Sequence, residues 1–103
     1  MSFPPGWQNP IFRPPGQVQP AVDPTRLLPS RTDLIRARVE HQRALLRAGT
    51  RRHSPVQVTP DGVIIDGHHM ARAAAEEGKM IDVAVVPWSE APSGDSILNL
   101  PVR

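Results

Sequence analysis

The residues best suited to chemistry lie in one short stretch, Asp66-Gly67-His68-His69, with Arg72 three residues further on. Imidazoles exchange protons near neutral pH, because the unperturbed pKa of histidine is about 6.5. A guanidinium carries a permanent charge and binds phosphate oxygens, while a carboxylate can orient a histidine or bind Mg²⁺. The stretch therefore predicts an anion site, with His68, His69 and Asp66 as candidate catalytic residues.

This stretch is predicted to join a strand to a helix. Thr59-Pro60-Asp61-Gly62 has proline and glycine at positions typical of a β-turn, and Val63-Ile64-Ile65 follows as the return strand of a hairpin. An alanine-rich helix is expected over residues 68–77, ended by Gly78. The amino end of a helix has free N–H groups and the positive end of the dipole, so it attracts phosphate.

Each side chain of the predicted site has a place at that helix start. Asp66 is expected at or just before the N-cap, where its carboxylate can accept the first helical N–H groups. Gly67 allows the backbone to approach a ligand closely. Arg72 neighbours both histidines, and a salt bridge to Glu76 is its structural alternative. The predicted cofactor-binding residues are Gly67, His68, His69 and Arg72.

A structural role and a metal site are the alternatives for the two histidines. One of them could be a buried, hydrogen-bonded core residue. A shared metal ion is disfavoured, because adjacent side chains on a helix point about 100° apart. A further ligand would have to come from Asp66, His41 or His53, and Asp66 is the metal ligand that we predict.

Length and composition limit the class of protein. The 103 residues suffice for one small domain, and the lack of cysteine excludes disulfides, Cys-based zinc sites and a thiol nucleophile. No apolar run approaches the roughly 20 residues that span a bilayer, and the amino terminus has no apolar signal segment. We therefore expect no membrane contact, and either a cytoplasmic protein or an effector delivered without a conventional signal peptide.

A basic amphipathic helix is predicted before the hairpin. Its apolar residues recur with helical period, Ser30 or Thr32 is expected to cap its start, and Gly49 is expected to end it. The arginines lie mostly between the apolar positions, so this face either contacts phosphates or is simply solvated. The arginines predicted to contact a nucleotide or nucleic acid are Arg36, Arg38, Arg43, Arg47, Arg51 and Arg52.

The two ends of the chain are predicted to be irregular. Residues 1–22 form a Pro-rich arm, because prolines block helices and central strands alike. Its apolar residues could dock on this domain, on a protein partner or on a second copy. Residues 23–88 form the domain, and residues 89–103 form a tail that wraps around it or frays. The order helix, β-hairpin, helix, strand predicts a small α+β domain.

Residues from about 23 to 86 resemble the ParB/sulfiredoxin-like superfamily. The resemblance is carried by Ser54-Pro55-Val56-Gln57-Val58, by Asp61-Gly62-Val63-Ile64-Ile65-Asp66-Gly67-His68-His69 and by Arg72-Ala73-Ala74. Residues 23–30 look like the segment that precedes the first helix of such domains. The resemblance implies that fold and a nucleotide phosphate held at the start of the helix over residues 68–77.

The same resemblance limits the activities that we expect. Sulfiredoxin chemistry is excluded, because its catalytic cysteine would fall at His68. The partitioning proteins have a Gly-Glu-Arg-Arg-x-Arg box here, of which this chain keeps Gly67 and Arg72. A full partitioning role is not expected, since it needs a helix-turn-helix and a dimerisation domain beyond this core. CTP or ATP, with Mg²⁺, is the cofactor that the resemblance implies.

Three functions remain as hypotheses. The first is a stand-alone ParB-like domain that binds a nucleotide or nucleic-acid phosphate at the turn from Asp66 to Arg72, with phosphate-ester hydrolysis or transfer as its catalytic form. The second is a DNase or toxin-like effector module of a bacterial secreted system. The third is a non-catalytic module that binds nucleic acid or protein.

Overall fold

A four-stranded mixed sheet and two helices organise the computed structural model, which describes residues 11–49 and 54–103. The elements are β1 (Val18–Val22), α1 (Arg36–Arg47), β2 (Val56–Val58), β3 (Ile64–Asp66), α2 (His68–Glu77) and β4 (Ile81–Val85). The strand order is β1-β4-β2-β3, with β2 parallel to β4 and the other neighbours antiparallel. The predicted α+β class and the order helix, hairpin, helix, strand are confirmed.

The predicted hairpin turn is present between β2 and β3. The Gly62 N–H donates to the Thr59 carbonyl oxygen at 2.9 Å, and the Val63 N–H donates to Thr59 Oγ1 at 3.1 Å. The hydroxyl of a threonine that is 1 % exposed thus supports the turn from inside. The hairpin fixes where β3 ends, and with it where α2 begins.

α2 contacts both α1 and the sheet strand β2. Its buried residues are Met70, Ala71, Ala73 and Ala74, together with His68. Alanines allow the helix backbone to approach its neighbours closely, so one small helix can fill the space between α1 and the valine-rich strands. In the described part of the chain, no helix is long and apolar enough to cross a membrane.

β1 is a strand that the sequence did not predict. It lies at the edge of the sheet, where the missing N–H of Pro20 is tolerated. Its pairing with β4 is irregular around Ala21, whose φ is 56°. Within the predicted arm, Ile11 is buried and Phe12 is exposed. Residues 1–10 of that arm, including Trp7, lie outside the described residues.

The predicted start of the first helix is wrong. α1 begins at Arg36 after Ile35, and no side chain caps it. Its first amide, the Arg36 N–H, instead donates to the Arg103 carbonyl oxygen at 2.7 Å, and Arg36 Nη2 donates to the Val102 carbonyl oxygen at 3.3 Å. The tail therefore wraps back to the start of α1. After α1, Gly49 has the positive φ expected of a helix stop.

Candidate functional site

A glycine turn directly after β3 starts α2. Gly67 has a φ of 96°, in the left-handed region that other residues rarely adopt. A Cβ at this position would lie 3.0 Å from Val56 Cγ2 and 3.2 Å from Val56 Cα. The turn therefore needs glycine because of β2, whereas the sequence analysis explained the same glycine by the approach of a ligand.

His68 lies in the core and is 4 % exposed. Its Nε2 accepts the Ser30 N–H at 3.0 Å, while the Ser30 hydroxyl donates to the Ile64 carbonyl oxygen at 2.6 Å. Burial, together with the nearby Arg31 charge, lowers the pKa of His68 to about 4. The ring is therefore neutral at pH 7, and its proton is assigned to Nδ1 because Nε2 is the acceptor.

His69 is half-buried and makes a similar contact. Its Nε2 accepts the Ile35 N–H at 3.1 Å. Burial lowers the pKa of His69, and the positive charges of Arg31 and Arg38 lower it further. This ring is also neutral near pH 7 and carries its proton on Nδ1, which leaves one N–H as a donor.

Arg72 faces the C-terminal tail. Its side chain is 13 % exposed, and Nη1 donates to the carbonyl oxygens of Ile97 at 3.1 Å and Leu100 at 2.8 Å. Its Nε pairs with Glu76 at 3.0 Å, which is the structural alternative given by the sequence. Arg72 lines a different cleft from His69, so the structure does not bring these two predicted site residues together.

A cleft of about 360 Å³ lies between α1 and the start of α2. Its lining residues are Ala37, Arg38, His41, Gln42, Asp66, Gly67, His69 and Met70. The side chains of Arg38, His41 and Asp66 have no hydrogen bond or ion pair among the described residues. The first amides of α2 have no intrahelical acceptor and no side-chain cap. This cleft therefore combines helix amides with an unpaired guanidinium, and we call it the α1–α2 cleft.

Asp66 lies just before the N-cap of α2, Gly67, as predicted, but its carboxylate does not accept the first helical N–H groups. It is exposed and makes no hydrogen bond with the described residues. Among the described residues no group of three or more His, Cys, Asp or Glu side chains could hold a metal ion, and His53 lies outside those residues. A Mg²⁺ ion here would have Asp66 as protein ligand, with phosphate and water oxygens supplying the rest.

The arginines of α1 fall into two groups. Arg43 pairs with Glu76 at 3.5 Å and with Glu77 at 3.1 Å, and Arg47 also pairs with Glu77. The hydrogen bond from Arg43 is the main reason why the pKa of Glu77 is lowered. Arg38, in contrast, faces the α1–α2 cleft and has no acidic partner in residues 11–49 and 54–103. The predicted Arg51 and Arg52 lie outside the described residues.

Several contacts of the site escaped the sequence analysis. Ser30 and Ile35 bind the histidines from 38 and 34 residues away, so no local pattern indicates them. Gln42 also lines the α1–α2 cleft, and its Oε1 is buried without a hydrogen-bond partner in the described part of the chain. Its position, one turn after Arg38 on a predicted helix, is the one signal that could have placed it there.

Comparison of the chain with protein-family models, with curated proteins and with solved structures finds no match. The resemblance to the ParB/sulfiredoxin-like superfamily therefore stays a prediction that rests on the quoted residues. What the fold and the site define is a small α+β domain with an open cleft at the start of one helix, lined by one arginine and one carboxylate.

Proposed function

We propose that the chain binds a phosphate-bearing ligand, a nucleotide or a nucleic-acid phosphate, in the α1–α2 cleft. The observation that carries the proposal is the position of Arg38. Its guanidinium lines the same cleft as the first turn of α2 and has no acidic partner among the described residues. Helix amides and a free guanidinium together favour phosphate oxygens. A nucleotide ligand would fit a cytoplasmic protein, since nucleotides are abundant there.

The other lining residues support a small ligand. His69 is neutral and keeps one N–H donor, so it can hydrogen-bond an anion without adding charge. The volume of about 360 Å³ falls within the range of small-molecule sites, about 300–1,000 Å³. A single nucleotide suits these dimensions better than a duplex, which would need an extended surface.

Hydrolysis or transfer of the phosphate is the catalytic form of this proposal. His68 is poorly suited to it, because Nε2 is occupied and a pKa of about 4 makes a weak base. Besides Arg38, the titratable side chains of the cleft without a hydrogen bond or ion pair among the described residues are His41 and Asp66. They are the groups best placed to move a proton or to hold the Mg²⁺ of a CTP or ATP complex.

Calorimetric titration with CTP, ATP and ADP, with and without Mg²⁺, tests the proposal. The Arg38→Ala variant loses one charge-assisted contact to the nucleotide, so its affinity should be about tenfold or more lower than that of wild type. Arg26→Ala is the matched control, because Arg26 is an exposed arginine outside the cleft, and it should bind like wild type.

The outcomes of this titration separate the hypotheses. An equal loss in the Arg38 and Arg26 variants would mean that the cleft has no special role. Failure of wild type to bind any nucleotide would reject the nucleotide form of the proposal. Salt-dependent binding of single-stranded DNA in that case would favour the nucleic-acid or effector-module form.

A further inference from the structure

Both histidines accept a backbone N–H from the same loop, residues 30–35. His68 Nε2 accepts from Ser30, the first residue of the loop, at 3.0 Å. His69 Nε2 accepts from Ile35, the last residue, at 3.1 Å. Two adjacent residues at the start of α2 thus hold the two ends of one loop, which we call the Ser30–Ile35 loop.

These contacts require neutral imidazoles. A protonated ring has two donors and no acceptor, so it could not accept an amide N–H. The Ser30 hydroxyl adds a bond of 2.6 Å to the Ile64 carbonyl oxygen, which ties the same end of the loop to β3. The burial that keeps both rings neutral therefore supports the loop contacts.

The loop carries a further arginine. Arg31 directly follows Ser30, whose N–H donates to His68 Nε2 at 3.0 Å, so the backbone of Arg31 lies close to the start of α2. Its positive charge also contributes to lowering the pKa of both histidines. Its nearest carboxylate is that of Asp33, at a long 3.9 Å, and Asp33 makes a shorter contact of 2.8 Å with Arg103. Arg31 is therefore only weakly neutralised by the protein, and its side chain is 39 % exposed.

We propose that His68 and His69 are positioning residues, which hold the Ser30–Ile35 loop so that Arg31, which is not itself a lining residue of the α1–α2 cleft, can add a second guanidinium to that of Arg38 on a ligand at the start of α2. The choice of ligand rests on the proposed function, whereas the loop contacts do not. Two guanidinium groups and the helix amides favour a group with two negative charges, such as a terminal phosphate, over a phosphodiester with one.

Glutamine substitutions separate positioning from acid–base chemistry. A glutamine amide oxygen can accept an N–H near the place of Nε2, but it does not titrate. His68→Gln and His69→Gln should keep the Ser30 and Ile35 amides protected from hydrogen exchange and should bind ATP within about threefold of wild type. The alanine variants should lose that protection and bind about tenfold more weakly.

The Arg31→Ala variant tests whether Arg31 contributes to ligand affinity. It provides this test even if His68→Ala fails to fold. Because the side chain is exposed, the variant should fold normally, while its affinity for ATP falls about tenfold. The same variant should also show a smaller preference than wild type for ADP over a cyclic phosphodiester such as cyclic AMP. Affinity unchanged from wild type would overturn the role of Arg31.

The remaining outcomes keep the two proposals apart. Glutamine variants that stay protected at Ser30 and Ile35 but bind as weakly as the alanine variants would overturn positioning, since the rings would then act on the ligand directly. If wild type binds no nucleotide, the proposed function fails, and hydrogen exchange still tests the loop. Nitrogen spectra should show both rings protonated at Nδ1; protonation at Nε2 in either ring would overturn the loop contact.

Discussion

The two ends of α2 use arginine in opposite ways. Near its carboxyl end, Arg43 and Arg47 of α1 pair with Glu77. Near its amino end, Arg38 of the same helix lines the α1–α2 cleft and has no acidic partner among the described residues. An arginine whose charge is neutralised inside the fold is part of the fold, whereas an unpaired one is available to a ligand. The arginine count of α1 therefore overstates its capacity to bind anions.

Helix electrostatics account for the difference. Glu76 and Glu77 end α2, where the negative end of the dipole repels carboxylates. Pairing with arginines from α1 offsets that repulsion. At the amino end the dipole favours a negative charge, yet Asp66 does not cap the helix. The amino end of α2 therefore has no side-chain cap, and the proposed phosphate would take that position.

The largest expected effect concerns the buried ring at the amino end. The pKa of His68 is about 4 in the folded chain, below its ordinary 6.5, so the unfolded chain binds the proton first. Stability should therefore fall as the pH drops from about 6.5 to about 4, by about 3 kcal/mol for this group. Urea denaturation of wild type and His68→Gln across this range measures it. Equal pH dependence of the two proteins would contradict the assignment.

In the middle of α2, Arg72→Ala should loosen the tail around residues 97–100. It leaves the buried carbonyl oxygens of Ile97 and Leu100 without a donor, at a cost of about 2 kcal/mol. Arg38→Ala, which removes no hydrogen bond or ion pair within the described residues, should change stability by less than about 0.5 kcal/mol. Denaturation and hydrogen exchange of the tail compare the two. Similar losses in both variants would erase the distinction between paired and unpaired arginines.

The glycines on either side of α2, Gly67 and Gly78, allow a further comparison of the two ends of the helix, with a smaller expected effect. Both have positive φ, but a Cβ at Gly67 meets Val56, whereas a Cβ at Gly78 meets open space. Gly67→Ala should therefore be less stable than Gly78→Ala by about 1 kcal/mol, the cost of overpacking added to the same backbone strain. Thermal denaturation of both variants measures the difference. Equal stabilities would show that the turn is not packed against β2.

The smallest expected effect comes from Glu77→Gln. It frees Arg47 and leaves Arg43 with its longer contact to Glu76, so stability should fall slightly, and added salt should abolish the difference. Weak, salt-sensitive binding of single-stranded DNA should rise. Glu90→Gln, an exposed change elsewhere, is the control for charge alone. If both variants gained the same DNA binding, pairing would not be what restrains these arginines.

The sequence correctly predicted the elements that depend on residues close to one another in the chain. The turn at Thr59 and Gly62, the alanine-rich α2 and the glycine stops at Gly49 and Gly78 all depend on residues a few positions apart. The edge strand β1 escaped because prolines normally argue against a strand. Its one proline, Pro20, is tolerated because the strand lies at the edge of the sheet.

The parts of the site that depend on distant residues could not be predicted. The amino end of α1 is satisfied by Arg103, so no capping residue marks it in the sequence. The partner of His68 is an amide 38 residues earlier in the chain, and Arg72 reaches carbonyls 25 and 28 residues later. The sequence thus located the strand-to-helix turn, but it could not distinguish the side chains that build it from those left free.

Amide chemical-shift mapping of the ¹⁵N-labelled chain with ATP tests most directly whether the open amino end of α2 is the binding site. The account predicts shifts at His69, Met70, Arg31 and Arg38, which lie at that end, and none at Glu77. Shifts confined to the carboxyl end of α2 and to Arg43 and Arg47 would contradict it, because binding would then occur where these two arginines are already paired with Glu77.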